Sequence, residues 1–454
     1  MPSPASLTFL TYRDSGSQSV TSTILPSEDE NVVSRFLSQG PRVYLNGSGD
    51  NILDEVLGSS ETIINMPNSI TFIVPDDCDA LSKIQFSYSC DYTNTSASSP
   101  ISKSLGLELI NKVEVRVGNE LWETLKAEDI LGRIVTEGDY STSQEIYETI
   151  TSIRGKDVDS TLSDPQENAY NIPTTNPVFI SGTLDLKIFS GSGDKINSFI
   201  QAGAPNNNVR LKIYFNNLIQ AKSFSNGTIT NFRPSLIVRK HLFTDVEKKY
   251  VVDNVINSVI HTSQNVSSIL SIGTFPSNEL TEFTFHVDLA NININTSHLL
   301  LCIQRTAYGD NESSGTLKGQ LTNYTRAYGQ PNGSGNVNPG LYDCITSVDL
   351  IINGSSVTGK LPASYLKTNA KKFLGLSSIV EFPYYCIPIA SSKFAEDSLV
   401  MSKLSNKKLI ISTNGNLFGT TVISTSRKIV ANITAVGTNI VTYVGGNCSK
   451  QLSN

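Results

Sequence analysis

Tryptophan occurs once in 454 residues, histidine four times, and only 17% of the chain is charged. Each scarcity excludes something. The four histidines (His241, His261, His286, His298) are dispersed, so neither an HExxH helix nor a tight His/Cys cluster offers zinc its tetrahedral set. The six cysteines (Cys78, Cys90, Cys302, Cys344, Cys386, Cys448) form no CxxC and mostly fall inside apolar runs. Such thiols behave as small buried hydrophobes, which predicts a reducing compartment rather than a disulfide framework. No apolar run reaches roughly 18 residues, and MPSPASLTFLTYRDSG lacks the basic-then-apolar order of an export signal. Neither membrane insertion nor secretion is expected. Lys and Arg number 35 against 41 Asp and Glu, a net charge of −6, and the lysine pairs at 248/249, 371/372 and 407/408 are scattered. Direct nucleic acid binding, which needs a basic face for phosphates, is not expected.

Catalytic patterns are equally thin. No G-x-S-x-G elbow and no apolar-flanked carboxylate pair is present. One stretch, GSSVTGKL from Gly354 to Leu361, has the G-x-x-x-x-G-K skeleton of a phosphate-binding loop. Leu361 stands where a hydroxyl should ligate magnesium, however, and Pro362 follows it. Trp122 has the ring of a sugar-stacking platform, but packing at a hairpin's end explains it better. The reading is therefore of a protein that is not an enzyme, with no catalytic, cofactor-binding or metal residue assigned and no cofactor.

What the chain does have is alternation, and it has it twice. Hydrophobic residues make up 39% and glycines number 31, enough to bury a sizeable core. NKVEVRVGNELWETL alternates Val113, Val115 and Val117 up to a Gly118-Asn119 turn. TSVDLIINGSSVTGKL does the same with Val348, Leu350 and Ile352 up to Asn353-Gly354, 348 − 113 = 235 residues later. Around this hairpin the order of segments repeats: SITFIVPD and LSKIQFSY before the first, EFTFHVDL and SHLLLCIQ before the second. The helical AEDILGRIVTEG and PASYLKTNAKKF follow the respective hairpins. Then come VFISGTLDLKIF and NVRLKIYFNN in one half, EFPYYCIPIA and NKKLIISTNG in the other. The offset drifts from 213 (Phe72/Phe285) to 235 at the hairpins and 198 (Asn208/Asn406), as loop insertions between elements in fixed order would make it.

The expected architecture is all-β with a few short helices: two tandem jelly-roll β-sandwiches. The expected layout is an N-terminal arm at 1–55, a first jelly roll at 56–222, a Gly/Asn/Pro-bearing linker at 223–234, and a second jelly roll at 235–454. LIVRKHLF is read as the first strand of the second half. Thr244 and Glu247, in capping-box spacing, open a helix that would carry Val251, Val255, Ile256 and Val259. The polar connections 141–176 and 306–342 should run over the surface.

LIVRKHLFTDVEKKYVVDN resembles the segment that opens the second barrel of double jelly-roll major capsid proteins, where a strand leads to an aspartate, a glutamate and a basic pair before an aromatic. Asp245, Glu247, Lys248, Lys249 and Tyr250 stand in those places. LANININTSHLLLCIQ, ending at Gln304, is similar to the family's Asn-containing approach to an apolar strand, and the two hairpins are similar to the strand and turn found in each barrel. The resemblance covers roughly residues 60 to 450 in order of elements and points to the lineage of nucleocytoplasmic large DNA viruses, virophages and polinton-like viruses. It implies a structural subunit: a homotrimer forming pseudo-hexameric capsomers that tile an icosahedral shell in the virion, assembled in the host cell cytoplasm. Its implied partners are itself, neighbouring capsomers, minor capsid and penton proteins, and an inner membrane beneath the shell, with the long loops as towers or inter-subunit contacts. The alternative from another class is a carbohydrate-binding or carbohydrate-cleaving β-sandwich protein.

Overall fold

The computed structural model describes residues 52–58, 67–74, 76–94, 99–102, 105–137, 152–153, 169–172, 177–189, 199–216, 227–270, 282–306, 345–374, 384–391, 398–413 and 428–450. Eight main strands build the two sheets of the first half: β1 (Ile52–Gly58), β2 (Ser69–Ile73), β3 (Ala80–Asn94), β4 (Ile110–Val117), β5 (Glu120–Lys126), β6 (Val178–Asp185), β7 (Val209–Phe215) and β8 (Gly227–His241). They pair as two sheets, β1-β8-β3-β6 and β2-β7-β4-β5. Alternation decides which side meets the core: Ile84, Phe86, Tyr88, Cys90 and Tyr92 of β3 point inward, as do Val113, Val115 and Val117 of β4.

The second half repeats the plan with β9 (Ile256–Leu270), β10 (Phe283–Asp288), β11 (Asn295–Thr306), β12 (Ile345–Ile352), β13 (Tyr384–Pro388), β14 (Lys408–Thr413) and β15 (Lys428–Val444). Its sheets run β9-β15-β11-β13 and β10-β14-β12, with Ser355–Ser356 on β12 in the place that β5 takes on β4. In each half the last long strand inserts between the first and third, and the penultimate one between the second and fourth. That is the jelly-roll connection, made twice. One helix follows each hairpin, α1 (Ala127–Glu137) and, in the second half, Ala363–Leu374.

Register tests the duplication residue by residue. Arg116 pairs with Arg210 and Ile351 with Lys408, which reproduces the offsets of 235 and 198. Phe72 pairs with Leu211 and Val287 with Leu409, so the counterpart of Phe72 is Val287, at 287 − 72 = 215 rather than 213. A slip of two leaves the same face inward, and it is Val287, not Phe285, that is buried.

The border expected at 223–234 is not where the sheets divide. Residues from Gly227 onward form β8, which lies between β1 and β3 in the first half, pairing Leu236 with both Leu57 and Phe86. The Asn and Pro taken for a linker mark a β-bulge: the register shifts between Thr230 and Arg233, and Asn231 has φ 52°. LIVRKH therefore closes the first jelly roll instead of opening the second. The arm expected to reach residue 55 likewise ends sooner, since Ile52–Glu55 pair with Val238–His241. The stretches 141–176 and 306–342 lie almost wholly outside the described residues.

Between the halves runs the helix Asp245–Asp253, hereafter α2 and shorter than expected. Thr244 Oγ1 accepts from the Glu247 N–H, and Glu247 Oε2 accepts from the Thr244 N–H at 2.8 Å, a complete capping box. Val255, Ile256 and Val259 do not continue it; Ile256 and Val259 lie in β9. Branched side chains at this density favour the pleated strand over the helix. We expect Thr244→Ala to cost about 0.5–2 kcal/mol, read as a lowered urea midpoint with unchanged slope.

Cys78, Cys90, Cys302 and Cys386 are buried and Cys448 is half-buried, all as free thiols; Cys344 lies outside the described residues. Burial, helped by the Asp91 carboxylate, pushes the Cys90 thiol up to about 12, and burial alone raises that of Cys386. The thiolate is the reactive form, so iodoacetamide near neutral pH should leave Cys90, Cys302 and Cys386 unmodified in the folded protein and alkylate all three in urea. Peptide mapping by mass spectrometry reads the outcome, and native-state labelling of Cys90 would contradict the burial.

Candidate functional site at the seam between the two sandwiches

The two sandwiches are joined by more than a tether. Strand β5 lies against β9, and α1 wedges between them and β15, so side chains from both halves meet in one buried seam. At its centre Arg133, with 1% of its surface exposed, pairs through Nη2 with Glu123 Oε1. Its Nε donates to Ser263 Oγ at 2.8 Å and its Nη1 to the Lys187 carbonyl at 3.2 Å. Glu123 Oε1 also accepts from Thr262 Oγ1 at 2.9 Å and from the Ser263 N–H at 3.0 Å. Four partner groups from two segments, Lys187 and Thr262-Ser263, thus satisfy one buried ion pair, the condition under which such a pair is tolerated.

A second polar tie lies one turn earlier on α1. Asp129 accepts from Thr434 Oγ1 of β15 at 2.9 Å and from the Lys126 N–H at 2.9 Å. Burial raises its carboxyl above the usual range in spite of both bonds. Lys126 Nζ reaches across to Ser267 Oγ at 3.1 Å.

An apolar layer completes the seam. Trp122 stands edge-on to Phe199 (5.7 Å) and Phe189 (6.4 Å), and Phe199 edge-on to Tyr443 (5.9 Å). The Tyr443 hydroxyl accepts from the Ile200 N–H at 3.0 Å, and burial raises its pKa far above that of a free phenol. Val251, Ile256, Ile260, Leu300 and Val441 continue the core of the first half without a break. The last hairpin, β15 turning into Asn447–Lys450, closes over it. There the Gly446 carbonyl accepts from the Asn206 N–H at 3.3 Å, and Lys450 Nζ donates to the Trp122 carbonyl. The arrangement fixes one jelly roll relative to the other; among the described residues it presents no nucleophile, base and open cleft together.

The sequence motifs resolve against this frame. GSSVTGKL is a hairpin and its following loop: Asn353 (φ 53°) and Gly354 (φ 81°) make the turn, where Gly118 (φ 60°) serves in the first copy. Two of the N–H groups that a phosphate would need are engaged, Val357 with the Leu350 carbonyl and Gly359 with Ser356 Oγ. Trp122 is buried, so it offers no ring to a sugar. His241, His261 and His298 are buried in separate strands and His286 is exposed. Among the described residues no three His, Cys, Asp or Glu gather as a metal ion would require, and no helix is long and apolar enough to cross a membrane.

The seam residues escaped the sequence reading, yet they left a signal. Glu123 sits opposite Val115, an inward position of the hairpin, and Arg133 interrupts the apolar stripe of Ile130, Leu131 and Ile134. Charges of opposite sign in two core positions ten residues apart announce a buried pair.

No protein-family model matches the chain, and no curated protein matches it. Solved structures do. The VP54 protein of PBCV-1, as fitted into the reconstruction of the virophage Sputnik, superposes with a TM-score of 0.61 at 14% identity over 89% of this chain and 97% of that one. The PBCV-1 virus capsid gives 0.60 at 14% over 89% and 97%. The Faustovirus major capsid protein gives 0.56 at 10% over 86% and 90%. Likeness over 86–89% of the chain at such identities is likeness of backbone, and with the doubled strand order it establishes the fold as a double jelly roll.

Proposed function

We propose that the chain is a major capsid protein, a structural subunit whose homotrimers form pseudo-hexameric capsomers of an icosahedral viral shell. The observation that carries this reading is the locked tandem: two sandwiches of identical strand order, joined by a continuous core and a buried ion pair, in a chain that follows structures of viral capsids over 89% of its length. Three chains of two like sandwiches present six similar walls, which fill a hexagonal lattice only if the two halves of each chain keep a fixed relation. The seam supplies that relation, and the work is shape complementarity and buried area rather than catalysis. The place of action is then the virion, with assembly in the host cytoplasm. Neighbouring capsomers, minor capsid and penton proteins are the partners, and a membrane beneath the shell is a further one. Sedimentation velocity should find a species of three times the 49.3 kDa chain mass, and electron microscopy of concentrated protein should show hexagonal particles or arrays. A monomer at every concentration would overturn the proposal.

A further inference from the structure

The outer face of the sheet β2-β7-β4-β5 carries a charge that the chain as a whole conceals. Register sets Lys112 beside Tyr214 and Lys126, Glu114 beside Lys212, and Arg116 beside Arg210. Side chains alternate along each strand, so Lys112, Arg116, Lys126, Arg210 and Lys212 share this one face. Among the described residues of the four strands Glu114 is the only carboxylate on it. It is fully engaged, accepting from Lys112 Nζ at 2.7 Å and Tyr214 Oη at 3.4 Å and pairing with Arg116 at 3.6 Å, and the Lys112 bond foremost holds its pKa down. Lys112 and Lys212 lie over the Tyr214 ring at 4.4 and 4.6 Å. Five cations less one carboxylate give the face a formal +4 in a chain of −6, so all other residues together carry −10.

The fold does not require this charge. With the offsets established by register, the places of Lys112, Arg116, Arg210 and Lys212 are taken in the second jelly roll by Ser347, Ile351, Lys408 and Ile410, while Glu114 corresponds to Asp349. The same sheet is built there with one cation in those four positions. Like charges directly opposite each other, as Arg116 and Arg210 are, destabilise a sheet. The face also has apolar margins: Ile73 (61% exposed) pairs with Arg210 and Leu121 (42% exposed) with Arg116, so one row across the sheet reads Ile-Arg-Arg-Leu. Exposed aliphatic side chains around arginines are a composition suited to a protein interface.

We propose that this face docks a second copy of the chain through an acidic part of that copy's surface. The inference rests on the capsid reading and names a wall by which subunits meet. Charge complementarity argues for it: a body with +4 on one sheet and −10 elsewhere attracts its own kind in one orientation and repels it in others. The test compares wild type with Arg210→Glu/Lys212→Glu and Arg210→Gln/Lys212→Gln by sedimentation velocity at about 50 and about 500 mM salt, where screening lengths differ several-fold. Wild-type association should weaken at least about tenfold at high salt, and both variants should associate at least about tenfold more weakly at low salt with little further salt dependence. Circular dichroism and melting identify a misfolded variant, in which case the exposed single change Arg210→Gln carries the test. If wild type assembles and the folded variants assemble as well, the docking face is wrong and the capsid reading stands. If wild type stays monomeric at every salt, both fall. If the variants keep assembly and lose only binding to phosphatidylserine vesicles or to single-stranded DNA, the face serves a polyanion and the self-docking inference is overturned.

Discussion

Arg133→Ala should destabilise the protein by about 3–5 kcal/mol, because it removes one partner of a buried pair and leaves the other charge in place. Glu123 would keep its bonds from Thr262 and the Ser263 N–H but lose the guanidinium that balances it, while Ser263 Oγ and the Lys187 carbonyl would lose a donor. The pair is not itself a source of great stability, and that distinction can be measured. In Glu123→Gln/Arg133→Met the amide oxygen still accepts from Thr262 and Ser263, no charge is stranded, and the methionine fills most of the vacated volume. This double variant should lie within about 1–2 kcal/mol of wild type. Urea unfolding of the two variants and wild type reads both numbers. Equal losses in the single and double variants would mean that the guanidinium's lost bonds to Ser263 Oγ and the Lys187 carbonyl, not a stranded charge, govern the seam.

Local patterns carried the sequence reading well. Alternation in Ile84–Cys90 and Val113–Val117, the Asn/Gly turns and the repeated order of segments are properties of neighbouring residues, and they survive in the strands as expected. What failed was long-range. LIVRKH is a strand in either half by its own residues; only its pairing with Leu57 and Phe86 assigns it to the first. A bulge and a linker draw on the same Gly, Asn and Pro, so SFSNGTITNFRPS could not disclose which it was. The seam required Thr262, Ser263 and Thr434 to come within reach of a strand and the helix after it, more than 120 residues earlier in the chain. The basic face was hidden differently. Its members are single residues at alternate positions on strands some 94 residues apart (210 − 116), whereas a scan for runs of Lys and Arg finds only pairs.

Gly437→Ala should be the most damaging single-methyl change in the described structure, costing about 4 kcal/mol or more, beyond the range of ordinary substitutions. Gly437 lies in β15 where that strand runs between β9 and β11, paired with Thr262 on one side and Thr296 on the other. Beside it the β11 register shifts between Thr296 and His298, and the bulge drives the Asn295 backbone toward β15. A Cβ at 437 would stand 1.8 Å from the Asn295 carbonyl oxygen and 2.7 Å from its carbon. Both are main-chain atoms, so no rotamer can relieve the overlap and one strand must move. A shift of β11 would also strain the Ser297 Oγ bond to the Val436 carbonyl (3.0 Å). A shift of β15 would pull on Thr434 and Tyr443, and through them on the seam. Gly359→Ala is the proper contrast: its φ of 69° is the left-handed region that favours glycine, but nothing lies within 4 Å of the added methyl. Its cost should stay near 1–2 kcal/mol of backbone strain. Conformational preference alone ranks these two glycines one way and close approach ranks them the other. Thermal unfolding of the pair decides, and a Gly437→Ala protein as stable as Gly359→Ala would mean that the bulge at Asn295 yields where the packing says it is held.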